Sequence, residues 1–287
     1  MIGAALVDKP AGITSHDVVQ RVRRALGIRA VGHTGTLDPF ATGLLILLVG
    51  PATRLARFVE AQAKTYLATA RLGVRTDTDD LTGTALDQPA ASGEVGEARV
   101  REALGRFLGE QQQRPPGYSA KHIDGERSYR RARRGEQVEL PAVPVTVHRI
   151  DLLSYRASDI TFRATVSAGT YLRAIARDLG ERLEVGAHLT ALRREAIGAI
   201  RVEDAVSLDC LSAADLLPAS RVLEHLPALQ LDEADRRAVA HGRAVVGSAP
   251  SQPRGDGMVA LLADGDVVAI AQEADGLLQP RVVLRAP

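Results

Sequence analysis

The run Leu44-Leu45-Ile46-Leu47-Leu48-Val49 restricts the fold more than any other segment. Its six apolar residues have no polar break, far short of the ~20 that a membrane span needs. They read as a buried strand around which a core must form. The stretch just before it, Gly32 to Gly43, holds three Gly, three Thr, one Pro and one Asp, a composition that only a loop accommodates. A glycine-rich loop therefore stands on a stiff apolar platform. Pro39 fixes its own φ and biases Asp38 towards an extended backbone. A carboxylate so placed has the rigid support that a nucleophile needs. The same Asp would also suit an Asx turn or a helix cap.

Other segments follow simple periods. Ala4 to Val7 reads as a short strand ended by the turn Lys9-Pro10-Ala11-Gly12. Thr14 with Asp17 forms a capping-box-like start, Val18, Val19, Val22 and Leu26 give a helical stripe, and Gly27 stops it. A helix is expected from about Thr53 to Ala61. Lys64 to Leu72 alternates, with Tyr66, Ala68, Ala70 and Leu72 on one face, and so is a strand. Val100, Leu104, Phe107 and Leu108 mark a helix. Val143 to Val147 and Ile160 to Val166 are strands, and Thr170 is expected to cap a helix carrying Leu172, Ile175, Ala176, Leu179 and Leu183. After about Leu226 short strands dominate, with an Asp264-Gly265 hairpin turn. Strands and helices mix without strict βαβ alternation, which makes the main domain α+β.

Gln111 to Val143 is Pro-, Gly- and Arg-rich and too long for an ordinary connection; such loops are usually functional or disordered. Arg114 to Arg134 carries seven basic residues against two acidic ones, whereas Leu211 onward carries seven Arg against ten Asp and Glu. The positive charge sits where it could meet phosphates, or simply on a solvated face. Lysine is confined to Lys9, Lys64 and Lys121. The lone Cys210 leaves no internal disulfide or cysteine zinc site. Met1 to Pro10 lacks a basic segment with a cleavage site, so no signal peptide is expected, and the single cysteine fits a reducing cytoplasm.

Cofactor motifs are missing. No Walker A, GxGxxG, GxSxG or HExxH occurs. Asp77-Thr78-Asp79-Asp80 hints at a calcium loop but has Thr82 where Gly is needed and Gln88 where Glu is needed. No metal or cofactor is expected, so the chain's own side chains must carry the chemistry.

Gly32-His33-Thr34-Gly35-Thr36-Leu37-Asp38-Pro39-Phe40-Ala41-Thr42-Gly43 resembles the catalytic motif of the TruB-type tRNA pseudouridine synthases. Lys9-Pro10-Ala11-Gly12-Ile13-Thr14-Ser15 is similar to that family's amino-terminal motif, and Lys64-Thr65-Tyr66 to its K-x-Y strand. Pro115-Pro116-Gly117-Tyr118-Ser119-Ala120 resembles its insert, Gly169-Thr170-Tyr171-Leu172-Arg173 its G-T-Y-[IL]-R, and His188 to Arg194 its H-L-T-x-L-R-R. These six motifs stand in the family's order.

The resemblance implies a mainly antiparallel mixed sheet flanked by helices and loops. It implies a catalytic domain over 1–226 with an RNA-clamping insert at about 111–142, then a small PUA-like β domain over 227–287. It implies isomerisation of uridine 55 in the tRNA T-loop, without guide RNA or cofactor, by a monomer. Asp38 would be the nucleophile, ionised at neutral pH because an ordinary Asp titrates near ~4. Arg173 would pair with it; independently, a cation in a helix's first turn opposes the macrodipole, a conflict that often marks function. Tyr66 would stack on the uracil near the proton lost from C5, Leu192 would pack against the base, and His33 would fill the space the flipped base leaves. Lys9 and Lys64 would support the loop or contact RNA, and Tyr171, Lys121 and Arg127 would contact the substrate. The insert carries His122 where the family more often has Lys. A reading from another class is a tRNA-folding chaperone whose catalysis is secondary.

Overall fold

A computed structural model of the chain describes residues 1–86, 95–119, 122–123, 126–128, 131, 134, 136, 140–247 and 257–284. Its strands are β1 (Gly3–Lys9), β2 (Val31–His33), β3 (Thr42–Val49), β4 (Lys64–Leu72), β5 (Gly109–Gln113), β6 (His122–Ile123), β7 (Glu126–Arg127), β8 (Val143–Arg156), β9 (Asp159–Val166), β10 (Ala187–Ile197), β11 (Ile200–Arg201), β12 (Val206–Ser207), β13 (Ala228–Gln230), β14 (Val245–Val246), β15 (Met258–Ala263), β16 (Asp266–Ala274) and β17 (Leu277–Val283). The α-helices used below are α1 (Ser15–Leu26), α2 (Ala56–Glu60), α3 (Glu97–Gly105), α4 (Leu172–Arg182) and α5 (Glu233–Ala240).

The chain divides into two compact units, Met1–Gln62 with Ile197–Pro287, and Ala63–Ala196. The first is built on β3. Leu45, Leu47 and Val49 pack with Val18, Val19 and Val22 of α1 on one face. Leu44, Ile46 and Leu48 pack on the other, with Phe58, Val59, Val222 and Leu223. Burial on both faces explains the unbroken apolar run, each Leu or Ile contributing about 1.5–3 kcal/mol. The strand order here is β12-β1-β3, with β2 added to β3. Helix α1 begins as its sequence predicts: the Thr14 hydroxyl accepts from the Asp17 amide, the Asp17 carboxylate accepts from the Thr14 amide, and Gly27 closes the helix at φ 64. The helix expected from Thr53 is 3-10 over Gly50–Leu55 and turns α-helical only at Ala56.

A five-stranded sheet, β13-β15-β16-β17-β14, completes this unit. The Asp264-Gly265 turn has φ of 53 and 79, the two positive values that a two-residue hairpin requires. Val259, Leu261 and Ala263 bury one face with Val239 of α5. Ala260, Val267, Ile270 and Val282 bury the other in the same core as Leu44, Ile46 and Leu48.

In the second unit the strand order is β10-β4-β9-β8-β5. Lys64, Tyr66, Ala68, Ala70 and Leu72 are buried along β4. β8 runs well past the Val143 to Val147 segment legible in the sequence, because register shifts at Val147/Arg149 and Leu152/Ser154 break the alternation that marks a strand. β10 has no clean alternation either. The long Gln111 to Val143 segment begins as β5, paired with β8, and carries the short β6–β7 pair. Helix α4 is not capped by Thr170. Its N-cap is Tyr171, whose side chain makes no cap bond, while the Thr170 hydroxyl bonds that of Ser167 at 3.3 Å.

Gly180 lets α4 press on the start of β10. A β-carbon there would run into the backbone of Gly186 and Ala187. Gly180→Ala should therefore destabilise the protein by about 1–3 kcal/mol, against the ~1 kcal/mol that helix propensity alone would add. A melting temperature that rose instead would refute this packing argument.

Candidate active site

In the first unit the Asp38 loop is braced from beneath. Lys9 is fully buried. Its ammonium donates to the carbonyls of Pro10 at 2.9 Å, Ile13 at 2.7 Å and Pro39 at 3.3 Å. The Gly12 amide donates to the same Pro39 carbonyl at 2.8 Å. Ser15 accepts from the Leu37 amide at 2.8 Å and donates to the Leu37 carbonyl at 3.2 Å. The Ala41 amide donates to the Asp38 carbonyl at 3.1 Å, closing a turn with Pro39 in its second position. Thr34 anchors the loop's other end, its amide donating to the Ile46 carbonyl of β3 at 3.0 Å. Asp38 itself is half-buried. His33 ends β2 opposite Leu47. Lys9, His33 and Asp38 thus belong to one rigid assembly, and Lys9 is an internal brace rather than a surface charge.

In the second unit Arg173 is buried in the first turn of α4. It donates to the Thr78 carbonyl and to the Tyr118 carbonyl, both at 2.9 Å, and pairs with the Asp80 carboxylate at 3.4 Å. Asp80 is buried as well, and its other oxygen accepts from the Thr82 amide at 2.9 Å and from the hydroxyls of Thr78 at 2.8 Å and Thr82 at 2.6 Å. A cation against the positive end of a helix dipole is thereby compensated by a local carboxylate. Because a buried pair adds little net stability over an apolar one, its yield is orientation. The Asp77 to Asp80 segment, whose spacing fails as a calcium loop, is an arginine-binding turn. Asp80 is the residue the sequence reading missed; the only signal was a cluster of acids in a Gly- and Thr-rich turn.

Tyr66 and Leu192 are buried on neighbouring strands β4 and β10, and Lys64 is buried at the start of β4. Tyr171 is clasped by Gln113, whose amide oxygen accepts from the Tyr171 amide at 2.8 Å and whose amide nitrogen donates to the Tyr171 carbonyl at 3.2 Å. Beside Arg173, burial pushes the Asp79 carboxyl up to about 6, opposed by the guanidiniums of Arg177 and Arg173. Lys121 and the side chain of Arg127 lie outside the described residues.

The fold and the comparisons with known proteins define a pseudouridine synthase. The fold matches the Cbf5-Nop10-Gar1 complex with a TM-score of 0.75 and 25% identity, covering 99% of this chain and 85% of that one. Residues 23–172 match the N-terminal domain of the TruB family pseudouridylate synthases, and residues 173–233 match the tRNA pseudouridylate synthase B C-terminal domain. The chain is 46% identical over 292 residues to tRNA pseudouridine synthase B of Thermobifida fusca (strain YX), covering 98% of each. It is 45% identical over 278 residues to the protein of that name from Leifsonia xyli subsp. xyli (strain CTCB07), covering 94% of this chain and 92% of the relative. The chain belongs to the TruB family of pseudouridylate synthases.

Proposed function

We propose that this chain isomerises uridine 55 in the T-loop of tRNA, with Asp38 as nucleophile and with neither guide RNA nor cofactor. The observation that carries the reading is the brace under Asp38: a fully buried lysine fixes the backbone of a loop whose tip is a carboxylate. Such enclosure is wasteful for an ordinary turn and apt for a nucleophile that must meet an extruded base. The relatives named above, which the chain spans almost end to end, are called tRNA pseudouridine synthases.

In this reading Asp38 attacks C6 of the uracil or C1′ of its ribose, and the N1–C1′ bond breaks. The uracil rotates, C5 bonds to C1′, the bond from Asp38 to C6 or C1′ breaks and returns the carboxylate, the C5 proton leaves and N1 gains a proton, so no atom is gained or lost. Arg173 serves as the counterion of Asp38. Tyr66 stacks on the uracil beside the departing C5 proton, Leu192 packs on the base, and His33 occupies the vacated stack. Lys64 supports this surface, while Tyr171, Lys121 and Arg127 contact RNA. The insert at 111–142 clamps the T-loop by shape, and 227–287 acts as a PUA-like RNA-binding part of a monomer working in the cytoplasm. Among the described residues, no helix is long and apolar enough to cross a membrane.

The test is tritium release from C5-labelled uridine in a tRNA transcript, with chelator present and no guide RNA or nucleotide, followed by mapping of the product. Stoichiometric release and one pseudouridine at position 55 are expected. A strict requirement for metal, nucleotide or guide RNA would overturn the proposal, and binding without release would favour the chaperone reading.

A further inference from the structure

Arg177 lies outside every motif quoted above. It follows Arg173 by one turn of α4, so the two side chains leave the same helical face. Both reach the same pair of segments. Arg173 holds the Asp77 to Gly83 turn through the Thr78 carbonyl and Asp80, and holds the base of the insert through the Tyr118 carbonyl. Arg177 pairs with Asp79 of that turn at 3.1 Å and donates to the Arg114 carbonyl at the base of the insert at 2.9 Å. Its Nε donates to the Asp178 carboxylate at 2.9 Å, which fixes the guanidinium plane.

Asp79 has φ 60, a left-handed conformation uncommon for a non-glycine residue, though one that Asp tolerates better than most. Its carbonyl accepts from the Leu189 amide of β10 at 3.0 Å, and its carboxylate is largely enclosed, with 14% of the side chain exposed. Arg177 thus ties Asp79, the neighbour of Thr78, to Arg114, four residues before Tyr118, whose carbonyl with that of Thr78 holds Arg173.

We propose that Arg177 is a positioning residue: paired with Asp79, it rivets the base of the insert to the turn carrying Asp80, and so fixes where Thr78 and Tyr118 hold Arg173. This rests on the reading that Arg173 serves the isomerisation and that the insert serves RNA. Arg177 itself touches neither base nor nucleophile in this scheme.

The experiment compares wild type, Arg177→Ala, Arg177→Lys and Asp79→Asn by amide hydrogen exchange of the full chain without RNA, and by steady-state tritium release. In Arg177→Ala, exchange over 76–83 and 113–119 should quicken about ten-fold while 174–180 in α4 stays protected. kcat/KM should fall on the order of ten-fold, mostly in kcat, as expected for a displaced catalytic group. Lysine can keep the charge pair with Asp79 but has no second arm for the Arg114 carbonyl. Arg177→Lys should therefore restore protection over 76–83 and leave 113–119 loose, a split that general destabilisation would not produce. Asp79→Asn should loosen 76–83. Unchanged exchange at both segments, uniform loosening of the whole unit, or local loosening with wild-type kinetics would each overturn the proposal. If the alanine variant does not fold, the lysine and asparagine variants decide the matter. Turnover by an Asp38→Asn variant would instead sink the functional reading and leave the exchange result standing.

Discussion

Asp38→Asn is expected to abolish isomerisation, lowering kcat by about ten-thousand-fold or more, while tRNA still binds with an affinity within about three-fold of wild type. The asymmetry follows from how the loop is held. Lys9, Gly12, Ser15 and Ala41 grip it through the main chain of Leu37, Asp38 and Pro39. An amide of the same shape leaves that grip intact but offers no anionic oxygen for attack. Tritium release under single-turnover conditions measures the first quantity and filter binding of the transcript the second. A variant that released tritium at even a hundredth of the wild-type rate would remove Asp38 from the nucleophile's role.

The features legible in the sequence are those whose cause is local. The unbroken apolar run of β3 marked a strand buried on both faces. The Thr14–Asp17 box and Gly27 marked both ends of α1, and Asp264-Gly265 marked its hairpin, because each is specified by residues within a few positions of one another. What escaped had distant causes. The outer half of β8 is defined by its pairing with β9 across register shifts, not by alternation. Thr170 has a capping residue's chemistry, but its hydroxyl is engaged by Ser167, and the helix starts one residue later than a Thr170 cap would put it.

The site divides the same way. The conflict of Arg173 with its helix dipole could be read directly, since it needs only a helix and a charge. Its local remedy could not, because Asp80 precedes it by 93 positions and is brought to it by the turn after β4. Lys9 could be read as a loop support or an RNA contact; only its complete enclosure distinguishes the two.

The second large effect falls on that hidden carboxylate. Asp80→Asn should lower kcat about a hundred-fold with little change in KM for tRNA, and should cost about 3 kcal/mol of stability. The substituted side chain would keep an oxygen for Thr78 and Thr82, but its amide nitrogen would then face a guanidinium, donor against donor, where a charge pair stood. Asp80 is too enclosed to meet RNA, so any kinetic loss must pass through Arg173. Arg173→Lys supplies the complementary arm: one ammonium cannot span the Thr78 carbonyl, the Tyr118 carbonyl and Asp80 together, so kcat should fall comparably although the charge is retained. Effects on kcat that fail to add in the double variant would place the two residues in one device. Wild-type kcat in Asp80→Asn, or a loss confined to KM, would show that the pair merely holds the fold.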